Sequence, residues 1–527
     1  MAKQSSIFKK VGFASLIMMA SVFASRITGL AREMIIAFTG GTGGDVDAYQ
    51  ISFIIPEILN HIVASGFLSI TFIPIFTAYL VRKKEEHSWK IFSIIFNTFG
   101  FFLLIFILIS FYFAPEIVKI FAPGFKDPVL FQKAVKMTRI IIPAQFFFFA
   151  GGLFMAVQFA KEKFLIPAFA PVLYNLGIIA GGIFLNKYLG IQGFAWGVLL
   201  GSFFGNFVLQ YFGAKKIGMK IYPLFNIKHP EFIKYLLLTL PLMLGLTMTF
   251  SIEILFKFFG SFLGKGSIAA MNYAFRIMLI LVGLFGQAVG VASYPFMAKF
   301  AAENNMNSLN NLLNQTLKLL LLVIPFSVLL MVLSHEIVFI LFKRGKFDIN
   351  AVILTAGVLP FFLAGTFAFA GQTVVTRGWY AVQNTWIPAL VSTGTVLLSF
   401  PIFYILMKLM DIKGVGLALF ITTIVQILFL FELWNRKKNN IKGKTVYIFF
   451  MKMLGISLII GLILLKITDF LRNIFNSSTM SGCWYICIIT GILFLLFFIG
   501  FGFIFKIQEI LILFKKGKYL NGAKKNS

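Results

Sequence analysis

The chain has little charge and few cysteines for its length of 527 residues. Only 12% of its residues are charged, 59% are hydrophobic, and the mean hydropathy is +0.93. Water-soluble globular domains do not have this composition, which therefore excludes a soluble enzyme or a soluble binding module. The two cysteines, Cys483 and Cys487, lie four residues apart with no metal-ligating neighbours in the sequence, which predicts packing residues.

Motifs for catalysis, metal binding or ATP hydrolysis are also missing. The four histidines are scattered without metal-ligand spacing, and no complete Gly-x-x-x-x-Gly-Lys-Ser/Thr phosphate loop is present. The glycine-rich run at residues 40–44 precedes Asp45 and Asp47, whose charges would repel phosphate, so we predict a flexible extracellular turn there. We expect no catalytic residues, no bound metal and no cofactor.

Long apolar runs dominate the sequence instead. There are about 14 runs of roughly 20 residues, each long enough to span a bilayer as a helix. The alternating pattern of a membrane β-barrel is absent, so the sequence predicts an all-α polytopic membrane protein. Lys9 and Lys10 before the first run imitate a signal peptide, but the apolar character continues to Phe38, which favours a retained first helix.

The net charge of +29 lies mainly in short connections between the apolar runs, not on one soluble face. We therefore interpret it as a topology signal and predict no nucleic-acid partner. If the N-terminus is cytoplasmic, the inside connections hold about 28 lysines and arginines and the outside ones about 14. This asymmetry predicts that both termini are cytoplasmic.

The chain repeats itself at a spacing of about 220 residues. Glu-Ile-Val begins at Glu116 and again at Glu336, and Ile-Gln-Gly at Ile191 is answered by Ile-Lys-Gly at Ile412. A tyrosine and a proline in the second span recur in the eighth. Three weak matches in one register are hard to obtain by accident.

Each repeat holds six spans, an even number, so the copies face the same way and are related by a pseudo-two-fold axis along the membrane normal. We predict an N-lobe at residues 1–220, a C-lobe at 221–440, and helices 13–14 with a basic cytoplasmic tail at 441–527. Two such lobes predict a transporter that rocks about a central cavity.

Three arginines lie inside apolar runs: Arg26, Arg32 and Arg276. Each costs about 2.5–3.5 kcal/mol at a helix centre, which predicts use on an anionic substrate. Arg26 and Arg32 are about 120° apart on an ideal helix, and a bend near Gly29 would aim both at one ligand. Ser25 and Glu33 flank them as gating or charge-balancing residues, while Arg32 and Glu33 could alternatively reach the membrane interface.

Further ionisable residues lie in the second and seventh spans. Glu57 and His61 are one turn apart, and His61 is either a substrate ligand or a hydrogen-bonded packing residue. Glu253 and Lys257 have the same spacing and either neutralise each other or couple transport to an ion.

The sequence resembles the MurJ (MviN) family of lipid II flippases, in the multidrug/oligosaccharidyl-lipid/polysaccharide exporter superfamily. The resemblance covers nearly the whole chain and is carried by several motifs together. These are Ser25-Arg26…Gly29…Arg32-Glu33, Asp47-Ala48-Tyr49, Pro171-Val172-Leu173-Tyr174-Asn175, Asn272-Tyr273-Ala274…Arg276, Arg344-Gly345-Lys346-Phe347-Asp348 and Arg377-Gly378-Trp379-Tyr380-Ala381.

The resemblance implies two six-helix lobes plus a final helix pair, in the bacterial cytoplasmic (inner) membrane. It implies alternating access that moves lipid II, a polyprenyl-pyrophosphate-linked glycan, to the outer leaflet for peptidoglycan synthesis. Arg26, Arg32 and Arg276 match cavity arginines that receive the pyrophosphate, and Asp47 joins the gating residues. Cell-wall assembly proteins are further expected partners, beside membrane lipids.

The chain departs from the family pattern at several positions. His61 stands where a further cavity arginine is usual, and Ser65 stands where a glutamate is usual. Phe256 and Asn384 replace carboxylates of the seventh and eleventh spans. Coupling to Na⁺, to H⁺ or to membrane potential therefore stays open.

Four other functions compete with lipid II transport. The nearest is a flippase for another polyprenyl-linked glycan of the O-antigen type. A drug/cation antiporter would need an acidic cavity, and a membrane-embedded enzyme acting on the same lipid would have only Asp45, Asp47 and Glu57 as candidate carboxylates. A cell-wall scaffold would tolerate loss of the arginines.

Overall fold

A computed structural model of the protein describes residues 2–59, 67–82, 84–507 and 509. Helices dominate these ranges and no described residue lies in a β-strand. In sequence order the first helices are α1 (Ala2–Gly40), α2 (Gly44–Ser52), α3 (Ile54–Leu59), α4 (Phe67–Val81), α5 (Glu85–Tyr112), α6 (Ala114–Phe121), α7 (Pro128–Ile141), α8 (Ala144–Ala160), α9 (Leu165–Leu189), α10 (Gln192–Gly201), α11 (Leu209–Lys216) and α12 (Pro230–Gly260).

The remaining helices are α13 (Ser267–Leu281), α14 (Ala288–Ala302), α15 (Met306–Leu320), α16 (Val323–Val332), α17 (Ser334–Phe342), α18 (Ile349–Ala364), α19 (Thr366–Ala381), α20 (Trp386–Lys437), α21 (Lys444–Ile474) and α22 (Met480–Ile504). Two π-helical turns, Ser202–Val208 and Val282–Gln287, join α10 to α11 and α13 to α14.

The chain is a multi-pass membrane protein. Among the described residues, nine helices are long and apolar enough to cross a membrane, or ten if α18 and α19, bent by 41°, form one span. The all-α prediction is confirmed, and the predicted count of about 14 spans is consistent with these helices.

The chain divides into two compact units. The first comprises Met1–Ala269 with Arg344–Asp348, and the second comprises Ala270–Lys343 with Ile349–Ser527. The seventh predicted span, now α12, therefore clusters with the first unit. The lobe boundaries at residues 220 and 440 stay a prediction.

Aromatic side chains build the core of the first unit. Phe76 meets Trp89 edge-on with ring centroids 5.0 Å apart, and Phe92 stacks on Phe96 at 5.7 Å. Edge-to-face and offset-stacked rings add stabilisation beyond area burial. This cluster locks α4, α5 and α8 together.

Glycines let α9 and α10 approach at backbone distance. A Cβ added at Gly181 would lie 2.5 Å from the Cα of Gly197, and one at Gly177 would lie 2.4 Å from the Cα of Gly201. Small residues four apart permit such contacts in membranes, where packing replaces the hydrophobic effect as the driving force. The close contact with α10 fixes the position of α9 and therefore of Asn175, a polar residue on α9.

The internal repeat appears as local structure in each unit. The two Glu-Ile-Val sequences lie on short helices, α6 in the first unit and α17 in the second. The turn before the Ile-Gln-Gly sequence has Gly190 at φ +57°, and the equivalent break inside α20 has Asp411 at φ +49°. Asp411 divides α20 into the predicted eleventh and twelfth spans.

The second unit has its own core, in which Trp379 meets Trp434 edge-on at 5.1 Å. The Trp434 indole N–H donates to Asn310 Oδ1 at 2.9 Å, so this buried polar group is satisfied. The helix pair α21 and α22 packs on α16 and α17 through buried Leu333, Leu471 and Ile486.

Candidate functional site

Arg32 is the centre of a polar cluster on α1, the helix that the sequence predicts as the first span. Its Nη2 donates to Glu33 Oε1 at 2.6 Å, and its Nη1 donates to Asn175 Oδ1 at 3.1 Å. The Arg32 side chain is 19% exposed and that of Glu33 only 4%. A guanidinium with two of its donors directed by neighbours is pre-oriented, and it stays charged at any physiological pH.

Asn175 was not predicted as a site residue, yet it connects α9 to α1. Its Nδ2 donates to the Ser25 carbonyl at 3.2 Å and to Thr28 Oγ1 at 3.3 Å, while its oxygen accepts from Arg32. Gly29 lies at this crossing, where an added Cβ would be 3.7 Å from Asn175 Nδ2. The signal was an amide inside an apolar span, a residue type that joins helices in membranes.

The other candidate substrate residues lie elsewhere on α1 and on α13. Arg26 lies on the same continuous helix α1 and is exposed. Arg276 is partly buried on α13 and belongs to the second unit. His61 and Ser65 lie outside the described residues.

A second charged cluster joins α3 to α12. The Lys257 ammonium is fully buried and lies 2.7 Å from Glu57 Oε2 and 3.4 Å from Glu253 Oε1. The sequence had suggested the Glu253–Lys257 pair from helical spacing, but the shorter contact is made to Glu57. Two carboxylates around one ammonium leave this group with a formal charge of −1.

Asp47 forms buried hydrogen bonds at the end of the first unit where α1 ends, at Gly40. Its buried carboxylate accepts from the backbone N–H of Gly266 at 2.5 Å and of Ala269 at 2.7 Å. Gly266 directly precedes α13 and Ala269 lies in its first turn, where helix N–H groups lack partners within the helix. A carboxylate there is also favoured by the helix dipole.

Backbone segments pack directly against each other beside Asp47. The Lys346 N–H donates to the Phe38 carbonyl at 2.9 Å, and a Cβ added at Gly41 would lie 2.4 Å from the Lys346 carbonyl oxygen. Gly41 also has φ +59°, a conformation that favours glycine. The turn that we predicted only as flexible therefore makes a close backbone contact.

Two further contacts tie the neighbouring loops together. Gly124 N–H donates to Ser261 Oγ at 3.0 Å, and Lys265 Nζ lies 2.8 Å from Asp127 Oδ2. The hydrogen bond from Lys265 holds the pKa of the Asp127 carboxyl below its usual value. Together with Asp47, these contacts close this end of the first unit.

Residues 36–483 match the family model described as "Lipid II flippase MurJ". The chain belongs to the MurJ family. Its MurJ relatives include a "Probable lipid II flippase MurJ" of Buchnera aphidicola subsp. Baizongia pistaciae, 30% identical over 91% of this chain and 95% of that protein. A "Lipid II flippase MurJ" of Burkholderia cenocepacia is 27% identical over 83% of this chain and 86% of its own length.

Solved structures give the same family and the wider fold. A structure of "Lipid II flippase MurJ, inward closed conformation" matches with a TM-score of 0.75 and 26% identity, covering 92% of this chain and 99% of that one. An inward-facing multidrug resistance MATE transporter of the MOP superfamily matches with a TM-score of 0.64 and 14% identity, over 80% and 95% of the two chains. The MATE likeness shows the fold alone, and the MurJ matches set the family.

Proposed function

We propose that this protein is a flippase that moves lipid II from the inner to the outer leaflet of the bacterial cytoplasmic membrane by alternating access. The observation that carries the proposal is the MurJ family match across residues 36–483. The named relatives are transporters and not enzymes, and the proposal needs no covalent chemistry and no cofactor. Both termini face the cytoplasm in this proposal, as the lysine-rich connections favour.

The pyrophosphate of the substrate is bound by arginines. Arg32 supports this role because its fork is fixed by Asn175 and carries a formal positive charge inside a membrane span. Glu33 accepts from one arm of the fork, so pyrophosphate must compete with that carboxylate. Arg26 on the same helix and Arg276 on α13 supply further charge, and His61 replaces the arginine usual in the second span.

Closure at Asp47 provides the gate on the outer side. The buried carboxylate and the backbone contact at Gly41 keep this end shut while the substrate enters from the opposite leaflet. Opening outward then requires the Asp47 hydrogen bonds to break. Because these bonds join a charged acceptor to helix N–H groups, each is stronger than a neutral hydrogen bond.

The cluster of Glu57, Lys257 and Glu253 is the candidate for ion coupling. It places two carboxylates beside one buried ammonium, so Lys257 competes with H⁺ or Na⁺ for their negative charge. Within the described residues no group of three or more histidine, cysteine, aspartate or glutamate side chains could hold a metal ion. Membrane potential remains a driving force of about 2.3 kcal/mol per charge per 100 mV.

The proposal is tested by rescue of bacteria depleted of their own lipid II flippase. The parent chain, Arg32→Ala and Arg276→Ala are compared at matched membrane levels, with growth and outer-leaflet lipid II as readouts. We expect rescue by the parent and loss of rescue in both variants. Arg436→Ala is the control, because Arg436 is an exposed arginine whose ion pair is with Glu432 one turn away.

The other outcomes separate the competing functions. Growth with all arginine variants would contradict the arginine site and favour a scaffold. A well-inserted parent that leaves outer-leaflet lipid II unchanged would contradict lipid II as the substrate. A purified parent that moves a different polyprenyl-pyrophosphate glycan across vesicles would then identify an O-antigen type flippase.

A further inference from the structure

The connection between α11 and α12, residues 217–229, is non-helical and presents apolar side chains to the outside of the protein. Ile221 is 43% exposed, Phe225 51% and Ile227 48%. Between them lie Tyr222, Pro223, Leu224 and Asn226, and the lysines Lys220 and Lys228 flank the stretch. Exposed apolar groups in a connection without helical structure call for a physical explanation, because a solvated loop would favour polar residues.

Polar side chains of α5 satisfy the backbone of this connection. Asn97 Nδ2 donates to the carbonyls of Tyr222 at 2.8 Å and Leu224 at 3.0 Å. Two hydroxyls make further bonds: Ser93 Oγ accepts from the Tyr222 N–H at 2.9 Å, and Thr98 Oγ1 accepts from the Asn226 N–H at 3.3 Å. Together, Ser93, Asn97 and Thr98 are called the brace below. Irregular backbone survives beside lipid only when its hydrogen bonds are made within the protein.

The brace lies just inside the apolar part of a membrane-spanning helix. Lys90 is the last charged residue of α5, and the bracing residues 93–98 follow it by about 5–12 Å at 1.5 Å per residue. Farther along α5, the Phe225 ring meets Phe101 edge-on with centroids 5.5 Å apart. The connection therefore runs along the first turns of α5 that are apolar.

Basic residues surround this apolar stretch. Residues 215–234 contain five lysines and a single acidic residue, Glu231: the lysines are Lys215, Lys216, Lys220, Lys228 and Lys234. At the start of α5, Glu85 pairs with Lys161 and Glu86 with Lys90, and both carboxylates also interact electrostatically with Lys220, so lysines outnumber carboxylates here. The lysines of the connection thus leave a net positive surface at the level of the brace.

We propose that residues 217–229 form a lipid-binding segment that inserts Ile221, Phe225 and Ile227 into the headgroup boundary and binds anionic phospholipid headgroups through Lys220 and Lys228. Charge complementarity selects the lipid, because an anionic leaflet attracts lysines beside the membrane surface. The apolar side chains add affinity by burial at the boundary.

This segment directly precedes α12, which carries Glu253 and Lys257. Bound lipid would fix the start of α12 at the membrane surface while the rest of the helix takes part in transport. The assignment of the segment to the cytoplasmic leaflet rests on the proposed orientation. Lipid binding itself does not, and it can be measured without lipid II.

The experiment uses the full chain in nanodiscs with an environment-sensitive fluorophore on Phe225→Cys, in a background with Cys483→Ala and Cys487→Ala. Quenching by brominated phosphatidylglycerol is compared with quenching by brominated phosphatidylcholine at equal mole fraction. Leu462→Cys is the control site, since Leu462 is 64% exposed on α21 and has no part in the basic segment. Helical content by circular dichroism confirms that each variant is folded.

We expect both lipids to quench the label at position 225, with a severalfold preference for phosphatidylglycerol that is absent at position 462. Lys220→Ala with Lys228→Ala should remove most of the preference, since each lysine near an anionic surface contributes up to about fivefold. Lys220→Arg with Lys228→Arg should keep it. Lack of quenching at position 225 would place the segment in water or against a protein, and a preference insensitive to the alanine pair would disprove the lysine site.

Discussion

Lys257 and Glu57, two hundred residues apart in sequence, form an ion pair with Nζ and Oε2 2.7 Å apart. The ammonium is fully buried and the Glu57 side chain is 22% exposed. Such a pair must overcome the desolvation of both charges, so it contributes little net stability when intact but a large penalty when one partner is removed.

Lys257→Met is therefore expected to lower the free energy of unfolding by about 2–3 kcal/mol, below the range for a fully buried pair because Glu57 is partly exposed. The measurement is thermal unfolding in detergent micelles, arranged as a double-mutant cycle with Glu57→Gln. We expect the double variant to be less destabilised than the sum of the two single variants. Strict additivity would mean that the ion pair has no energetic coupling.

Gly41→Ala should destabilise the closed end of the first unit by more than backbone conformation alone can explain. Gly190 provides the matched control, because its φ of +57° is close to the +59° of Gly41 but nothing lies within 4 Å of its added Cβ. Gly190→Ala should cost about 1–2 kcal/mol from the left-handed conformation. Gly41→Ala adds the clash with the Lys346 carbonyl, and equal unfolding temperatures for the two variants would rule that contact out.

Asp47→Asn should weaken closure of the same end, because an amide has one acceptor oxygen where the carboxylate offers two to Gly266 and Ala269. We expect a cysteine introduced at Thr42 to react several times faster with a membrane-impermeant maleimide in this variant, in a background with both native cysteines replaced. Asp45→Asn is the control, since Asp45 pairs with Lys133 at the surface. Unchanged labelling in Asp47→Asn would show that the gate does not depend on the charged acceptor.

Asn175→Leu should reduce lipid II binding without removing the arginine itself. A hydrogen bond to a charged group contributes about 1.5–3 kcal/mol, so we expect roughly a tenfold or greater loss of affinity when Arg32 is no longer aimed by Asn175. Titration of lipid II into the purified protein, followed by native mass spectrometry, measures the loss. Asn175→Gln, which keeps the amide, should restore part of the affinity. Parent-like binding by Asn175→Leu would remove Asn175 from the site.

The sequence was sufficient for the membrane class, the helical fold and the family, because apolar run length and motif order are local properties of the chain. It also suggested the Glu253–Lys257 pair, since residues four apart share a helix face. Two contacts could not be predicted: the shorter one between Glu57 and Lys257, and the hydrogen bond between Asn175 and Arg32. A single sequence does not specify which helix faces meet, or at what depth along the helices they meet. The amide of Asn175 was visible as a polar residue in a span, but its partner was not.

The bidentate pair between Glu336 and Arg472 leads to the last prediction, that this contact fixes the C-terminal helix pair to the rest of the second unit. Arg472 Nε and Nη2 donate to the two oxygens of Glu336 at 2.7 and 3.0 Å, and the Glu336 side chain is fully buried. Glu336 lies on α17 and Arg472 on α21, so the pair links these two helices.

Arg472→Ala should leave a buried carboxylate without its main partner and cost about 2–3 kcal/mol, below the range for a fully buried pair because Arg472 is 30% exposed, whereas Glu336→Gln with Arg472→Gln should cost much less because no unpaired charge remains. The expected readout is selective loss of α21 and α22, measured as faster hydrogen exchange there than in α9. Arg436→Ala, which removes an exposed arginine paired with Glu432 on α20, should leave exchange in both regions unchanged. Uniform destabilisation of all helices by Arg472→Ala would instead mean that the pair supports the whole second unit.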